Sequence, residues 1–347
     1  MSDKSANALL ATVRRLTAGD APDPTELTDA FDIVLSGDAT PAQIAALLIG
    51  LRVKGETPQE LASVVRSFRR AMNRLPADRP DELVDTCGTG GGTISTFNIS
   101  TAAALLVAGT GIRVAKHGNR SFTTLCGSAD VLEALGVSIE APIDVMADAL
   151  RDAGIVFMFA PLMHPAMRHV GPVRRELGVQ TVMNLVGPLA NPAGAGRQVV
   201  GVSDARRLPL IAGALLDLQS VHALVVHGTG MDEISPFNET RVFEVRNGAM
   251  SEWTIDPTRF GFGGGSVDQL VGGPPAENAA TVLKVLRGEG NEASTAAVVL
   301  NAAAAFYVGG VTVNYDDGVA AARHAIKSGA GLLALDRLRI AFARPNR

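Results

Sequence analysis

Apolar and polar positions follow two different rhythms along this chain, and the rhythm changes near residue 75. Up to that point the spacing is helical. The stretch DPTELTDAFDIVLSG opens on Asp23-Pro24, a capping acid followed by a first-turn proline, and closes on Gly37. TPAQIAALLIGLRVKG repeats the device, with Thr40 as cap, Pro41 as first residue and Gly55 as stop. TPQELASVVRSFRRAM does so again from Thr57. Such caps satisfy N–H groups that have no partner in a first helical turn, where the missing N–H of proline costs nothing. Three short amphipathic helices in series predict a small helical domain over residues 1–75. The polar, proline-bearing NRLPADRPDEL predicts a linker after it.

From residue 83 short apolar runs alternate with helical stretches. The runs are LVDTC, IRVAK, IVFMFA, RQVVGV and VHALVV; between them lie STAAALLVAGTG, SADVLEALG, DVMADALRDAG and DARRLPLIAGALLDL. This alternation predicts an α/β domain over 76–347 with a mostly parallel sheet covered by helices. TRVFEVRNGAMSEWTID places Asn247-Gly248 between two alternating runs, a hairpin signal. The C-terminal stretch returns to Ala-rich helices.

Composition narrows the classes. A length of 347 residues sets a prior of about two domains. Apolar residues at 47% allow a large core, and 19% charged residues are few for a disordered chain. A net charge of -4 argues against a dedicated nucleic-acid binder. Cys87 and Cys126 are the only cysteines, and one lies in a glycine loop, so both are expected as free thiols of a reducing compartment. The N-terminal stretch is unlike a signal peptide, and the longest apolar runs fall short of the ~20 residues of a membrane helix. A cytoplasmic protein without membrane contact is expected.

Ligands of open parallel sheets sit outside the carboxyl ends of the strands, so the strand ends carry the candidate chemistry. DTCGTGGGTISTFNIST, from Asp85 to Thr101, follows the first strand with Gly88 and Gly90–Gly92. Glycine lets a backbone approach a ligand closely and turn its N–H groups inward, and the helix expected near Ser100 adds more free N–H groups. Phosphate suits such a loop; so does a plain strand-to-helix turn. The second strand ends in KHGNRS, placing Lys116, His117, Asn119 and Arg120 there. Lys and Arg suit phosphate; His and Asn can hydrogen-bond a small polar ligand. The run VVHGTGMDEIS supplies Asp232 and Glu233. Adjacent carboxylates repel unless a cation neutralises them, and magnesium binds through one or two carboxylates plus substrate phosphates; two solvated acids are the plainer alternative. APLMHPAMRHVGPVRREL adds His164, Arg168, His169, Arg174 and Arg175, the last two neighbours of which at most one faces a given site. There is no H-E-x-x-H, no G-x-S-x-G and no paired C-x-x-C, and GTGGGTIS does not fit a Walker P-loop.

In this order DTCGTGGG, NIST, KHGNRS, GSADVLEALG, RRELGVQTVMNLVGPLANP and the Asp232-Glu233 pair resemble the anthranilate phosphoribosyltransferase family, over nearly the whole chain. The resemblance implies a nucleoside phosphorylase-like phosphoribosyltransferase fold. In it a small N-terminal helical domain, joined by part of 170–193, rests on the larger α/β domain, and the helical domain forms a homodimer. It implies transfer of phosphoribosyl from phosphoribosyl pyrophosphate to the amine of anthranilate in tryptophan biosynthesis, with two Mg2+ per subunit and no general acid or base. Gly88, Gly90, Gly91, Thr96, Asn98, Ser100, Thr101, Lys116 and Ser128 are then expected at phosphoribosyl pyrophosphate. Gly88, His117, Asn119, His164, Arg174 and Pro188 are expected at anthranilate, and Ser100, Asp232 and Glu233 at the metal. Three places depart from the family pattern. Phe122, Thr123, Thr124 and Leu125 stand where a serine pair and a basic residue are common, and Gln180 and Met183 stand where Arg and Phe are common. Two rivals carry distinct expectations. A pyrimidine nucleoside phosphorylase shares the fold but would not need the Asp232-Glu233 pair. A non-enzymatic relative binding nucleic acid would need a basic stripe, against 35 acids and 31 bases here.

Overall fold

The capping devices read from the sequence close helix ends in the computed structural model, which describes residues 3–121 and 124–343, with side chains from residue 8. Helix α1 (Asp3–Thr17) comes first. It opens without a proline, which is why the punctuation predicted three helices where the chain forms four. In α2 (Pro24–Ser36) the Thr25 N–H donates to Asp23 Oδ1 at 2.8 Å and the Asp23 N–H to Glu26 Oε2 at 3.0 Å, a reciprocal box. Thr40 and Thr57 build the same box with Gln43 and Glu60 at α3 (Pro41–Lys54) and α4 (Pro58–Ala71).

Seven strands follow: β1 (Val84–Gly88), β2 (Val114–Gly118), β3 (Ile155–Phe159), β4 (Arg197–Gly201), β5 (His222–Gly228), β6 (Thr240–Arg246) and β7 (Ala249–Ile255). They form one sheet in the order β3-β2-β1-β4-β5-β6-β7. The first five run parallel; β6 and β7 are antiparallel additions. The β6–β7 turn is Asn247-Gly248, with φ of 52° and 72°, the left-handed pair that a two-residue hairpin needs. Helix α5 (Ile99–Ala108) links β1 to β2. Helices α6 (Ser128–Ala134) and α7 (Ile143–Asp152) link β2 to β3. Helices α8 (Ala160–Met163), α9 (Met167–Leu177) and α10 (Met183–Leu189) precede β4, and α11 (Leu208–Asp217) precedes β5. Helices α12 (Pro275–Leu286), α13 (Glu292–Val308), α14 (Tyr315–Lys327) and α15 (Ala330–Phe342) end the chain.

The sheet separates two apolar clusters. Along β5, Leu224 and Val226 face one and Ala223 and Val225 the other, the two-residue period of a strand buried on both sides. The first cluster holds α5–α7 and α12–α15. The second joins α1–α4, α9, α10 and α11 to the opposite face of β4, β5 and β6. Chain order reverses at β1: the path leaves it for β2 and β3 and returns to β4 on its other side. Among the described residues no helix is long and apolar enough to cross a membrane.

Candidate active site

The reversal puts β1 and β4 side by side, and both end in glycine, Gly88 paired with Gly201. Ligands of open α/β sheets bind at such a switch point. The loop after β5 lies over these ends and explains the glycines. A Cβ on Gly88 would fall 2.3 Å from Asp232 Oδ2, and one on Gly201 would fall 1.5 Å from the Asp232 carbonyl oxygen. Gly90 and Gly91 adopt φ of 67° and 81°, a region that side chains disfavour. The Gly90 N–H donates to Asp232 Oδ2 at 2.8 Å, so the glycine loop and the acidic loop touch.

The Thr96 hydroxyl donates to Glu233 Oε1 at 3.1 Å, while the buried Oε2 of Glu233 has no partner among the described residues. Burial, and then the neighbouring Asp232, raise the Glu233 carboxyl well above the usual carboxylate range. Burial raises Asp232 as well, opposed by the Gly90 N–H. Asn301 of α13 holds this loop in place: it accepts from the Ile234 N–H and donates to the Ile234 carbonyl, each at 3.1 Å. A cavity of about 10 Å³, the scale of one water or small ion, lies between Thr86, Ser100, Asp232, Glu233 and Asn301.

Lys116 is buried below this cavity. Its ammonium donates to the Thr86 carbonyl at 2.5 Å and to Ser100 Oγ at 3.3 Å, tying β2 to β1 and to the first turn of α5. Burial lowers its pKa, against the pull of Asp85. Asp85 is wholly buried and pushed up to about 6, mainly by burial; Lys116, Asn191 and the His117 N–H oppose the rise. The Asn191 amide donates to Asp85 Oδ2 and to the Ala115 carbonyl, both at 2.8 Å. Thr101 is buried in the first turn of α5 with its hydroxyl unpartnered. Asn98 caps that turn, but its side chain bonds the Cys126 carbonyl and Asn278 of α12. Ser128 opens α6 and donates to the Asn119 carbonyl at 3.3 Å; a Cβ on Gly118 would collide with its hydroxyl at 2.1 Å.

A second group lies beside the first. His117, at the end of β2, and His164, just after α8, are both buried, with ring centres 4.9 Å apart. His117 Nε2 and both ring nitrogens of His164 form no well-aligned hydrogen bond among the described residues; the backbone near Gly187 approaches His117 and that near Ala190 approaches His164. Burial, then the second imidazole, lowers His117 to about 3; burial lowers His164 to about 4. Both rings are neutral at pH 7. The Pro188 carbonyl of α10 accepts from Gln198 at 2.8 Å, which fixes α10 against β4. Arg174 of α9 is partly buried, and burial lowers its pKa; it forms no hydrogen bond or ion pair among the described residues. An unpaired, half-desolvated guanidinium is a ready partner for a carboxylate.

Not every cation of the sequence reading lies in this crevice. Arg120 is turned away onto α6, 2.9 Å from Asp130 and 2.5 Å from Glu133. His169 sits over Gly37 at the end of α2. Arg175 is exposed. Cys87 and Cys126 are free, as expected.

Comparison with known proteins agrees with this arrangement. Residues 80–332 match the glycosyl transferase family, a/b domain, and residues 11–72 match the helical bundle domain of the same family. The anthranilate phosphoribosyltransferase of Rubrobacter xylanophilus is 47% identical over 95% of this chain and 96% of its own. The chain belongs to the anthranilate phosphoribosyltransferase family. Another family member, from Chloroflexus aggregans, is 46% identical over 99% of both chains. The crystal structure of the Thermus thermophilus enzyme superposes with a TM-score of 0.91 at 41% identity, covering 96% of this chain and 99% of that one. The Saccharomyces cerevisiae enzyme, solved with PRPP and Mg, gives 0.87 at 26% identity, covering 96% and 98%.

The residues present fit the magnesium found in that yeast anthranilate phosphoribosyltransferase. No three of His, Cys, Asp and Glu converge among the described residues, so there is no all-protein metal cage. The open oxygen of Glu233, beside Asp232, suits a cation that takes its remaining ligands from phosphate. Of the positions departing from the anthranilate phosphoribosyltransferase pattern, Leu125 is exposed and Met183 is buried. Phe122 and Thr123 lie outside the described residues. Four polar residues of the crevice were missed by sequence reasoning: Asp85, Asn191, Ser203 and Asn301. Asn301 had a signal, a lone amide in the apolar run VVLNAAAAF.

Proposed function

We propose that this chain transfers the phosphoribosyl group of phosphoribosyl pyrophosphate to the amine of anthranilate, releasing pyrophosphate, as a step of tryptophan biosynthesis. One observation carries the reading: the glycine loop after β1 meets a buried carboxylate pair with one open oxygen, beside two buried, neutral imidazoles. The first group suits a diphosphate with its cation, the second a small aromatic acid.

Gly88, Gly90, Gly91, Thr96 and the Asn98–Thr101 turn hold the diphosphate and ribose phosphate, with Ser128 at the ribosyl side. Lys116 holds Ser100 in place and supplies positive charge below the leaving group. Magnesium, two ions per subunit on Ser100, Asp232 and Glu233, would neutralise the departing pyrophosphate. His117, His164, Asn119 and Pro188 line the acceptor pocket with Gly88 at its edge, and Arg174 takes the anthranilate carboxylate. The anthranilate amine is already neutral at pH 7, so the chain supplies position and electrostatics rather than a general base. Neutral imidazoles fit that role, because they offer hydrogen bonds without competing for protons.

The subunit pairs through its helical bundle. Helix α3 buries Ile44, Leu47, Leu48 and Leu51 on one side, yet Ala42, Ala46, Ile49 and Val53 form a second apolar stripe that is only partly covered. The decisive assay follows anthranilate fluorescence. Rapid loss on adding phosphoribosyl pyrophosphate and magnesium is expected. No loss with folded protein, together with phosphorolysis of a pyrimidine nucleoside, would replace this reading with that of a nucleoside phosphorylase.

A further inference from the structure

Gly91 has two polar neighbours that no role above uses. A Cβ built on it would lie 3.6 Å from Gln180 Nε2 and 3.9 Å from Ser203 Oγ, with nothing else within 4 Å. Ser203 stands just past the end of β4, the central strand whose carboxyl end the sequence reading passed over. Its N–H donates to Thr89 Oγ1 at 3.1 Å, and the Thr89 N–H donates to the Gly201 carbonyl at 2.9 Å, so it is locked to the glycine loop. Gln180 comes from the other side, on the 178–182 connection between α9 and α10. Its carbonyl accepts from Arg52 of α3 at 2.5 Å, and the N–H of the next residue, Thr181, donates to Asn184 Oδ1 of α10 at 3.1 Å. The Gln180 carboxamide itself makes no hydrogen bond among the described residues. A free amide donor on an anchored backbone thus lies beside the bare backbone of the glycine loop at Gly91.

We propose that Gln180 Nε2 and Ser203 Oγ are further contacts for the diphosphate group, with Gln180 delivered to the loop by Arg52 of the helical bundle. This rests on the phosphoribosyl pyrophosphate reading and adds two residues to it. The carboxamide donates two N–H bonds to phosphate oxygens without bringing charge. Held between α9 and α10, it makes the outer edge of the diphosphate site depend on where the bundle sits.

Charge substitutions at Gln180 test the proposal, because a merely structural residue would not respond to them with opposite signs. Inorganic pyrophosphate with magnesium, and separately phosphoribosyl pyrophosphate, are titrated calorimetrically into the parent, Q180E, Q180R, Q180A and S203A. Q180E should weaken both ligands by about tenfold or more, and Q180R should tighten them severalfold. Q180A and S203A should each weaken them by about three- to tenfold. KM for anthranilate should stay within about twofold, and the melting temperature should not move, since residue 180 is exposed. If Q180E and Q180R both bind like the parent, the proposal is overturned while the function stands. A parent that binds neither ligand overturns both.

Discussion

The rings of His117 and His164 lie 4.9 Å apart, tilted by 52°, both buried. Their folded pKa values of about 3 and about 4 are below the ordinary 6.5. The unfolded chain therefore binds more protons than the folded one as pH falls below about 6.5, and folding stability is lost in that direction. Replacing His164 by Gln removes its share. The stability gap between parent and His164→Gln should shift in favour of the variant between pH 6.5 and 4.5, by up to about 1.4 kcal/mol per pH unit. Asp85, raised to about 6, contributes the opposite slope to both proteins and cancels in the difference. Urea unfolding at several pH values reads this directly; a gap independent of pH refutes it.

Glu233 holds its proton well above the usual range because of burial and Asp232. A cation favours the carboxylate form. Binding of magnesium with phosphoribosyl pyrophosphate should therefore draw Glu233 towards its carboxylate and release protons, more of them as pH falls. Calorimetry in buffers of different ionisation enthalpy measures the count. The pair Asp232→Asn with Glu233→Gln should abolish the release, most turnover and most magnesium dependence, while the protein folds and still admits anthranilate. Matching rate curves against magnesium for the two proteins would sink the metal assignment.

Arg174 forms no hydrogen bond or ion pair among the described residues, and burial lowers its pKa. Arg174→Ala should raise KM for anthranilate by roughly ten- to a hundredfold, the value of a charged hydrogen bond, with little change for phosphoribosyl pyrophosphate. Unchanged anthranilate kinetics would transfer acceptor recognition to His164 or Asn119.

Two glycine substitutions should fail in different ways. Gly88→Ala pushes a methyl against Asp232 Oδ2, so the magnesium requirement should rise first. At Gly91 a Cβ makes only ordinary contacts, but Gly91→Val forces a β-branched residue to φ of 81°, at about 1–3 kcal/mol of strain. It should lose phosphoribosyl pyrophosphate affinity with the fold retained, as titration and circular dichroism together would reveal.

Chain punctuation made most of the fold legible. Cap and proline marked α2, α3 and α4, glycine closed the first two, and Asn247-Gly248 marked the hairpin; α1, opening without proline, went uncounted. Strand ends then located the crevice, because glycine runs and adjacent acids are visible in one dimension. What stayed hidden depends on direction. Arg120 looked like a phosphate ligand until Asp130 and Glu133, on the next helix, claimed it. Asp85 and Asn191 meet only when the segment before β4 folds back over β2. Ser203 has neither charge nor a glycine run to announce it.

The second apolar cluster, which runs from the bundle through α11 to β5, has a consequence for dissecting the protein. The linker after α4 reads as a seam for cutting the chain into two pieces. Helix α11 packs on α4 as well as on β5 and β6, so apolar contact continues across the seam. Severing it would bare a continuous oily surface on each fragment, and fragments with such surfaces clump rather than persist alone. A cut there should therefore leave each fragment less soluble than the whole chain.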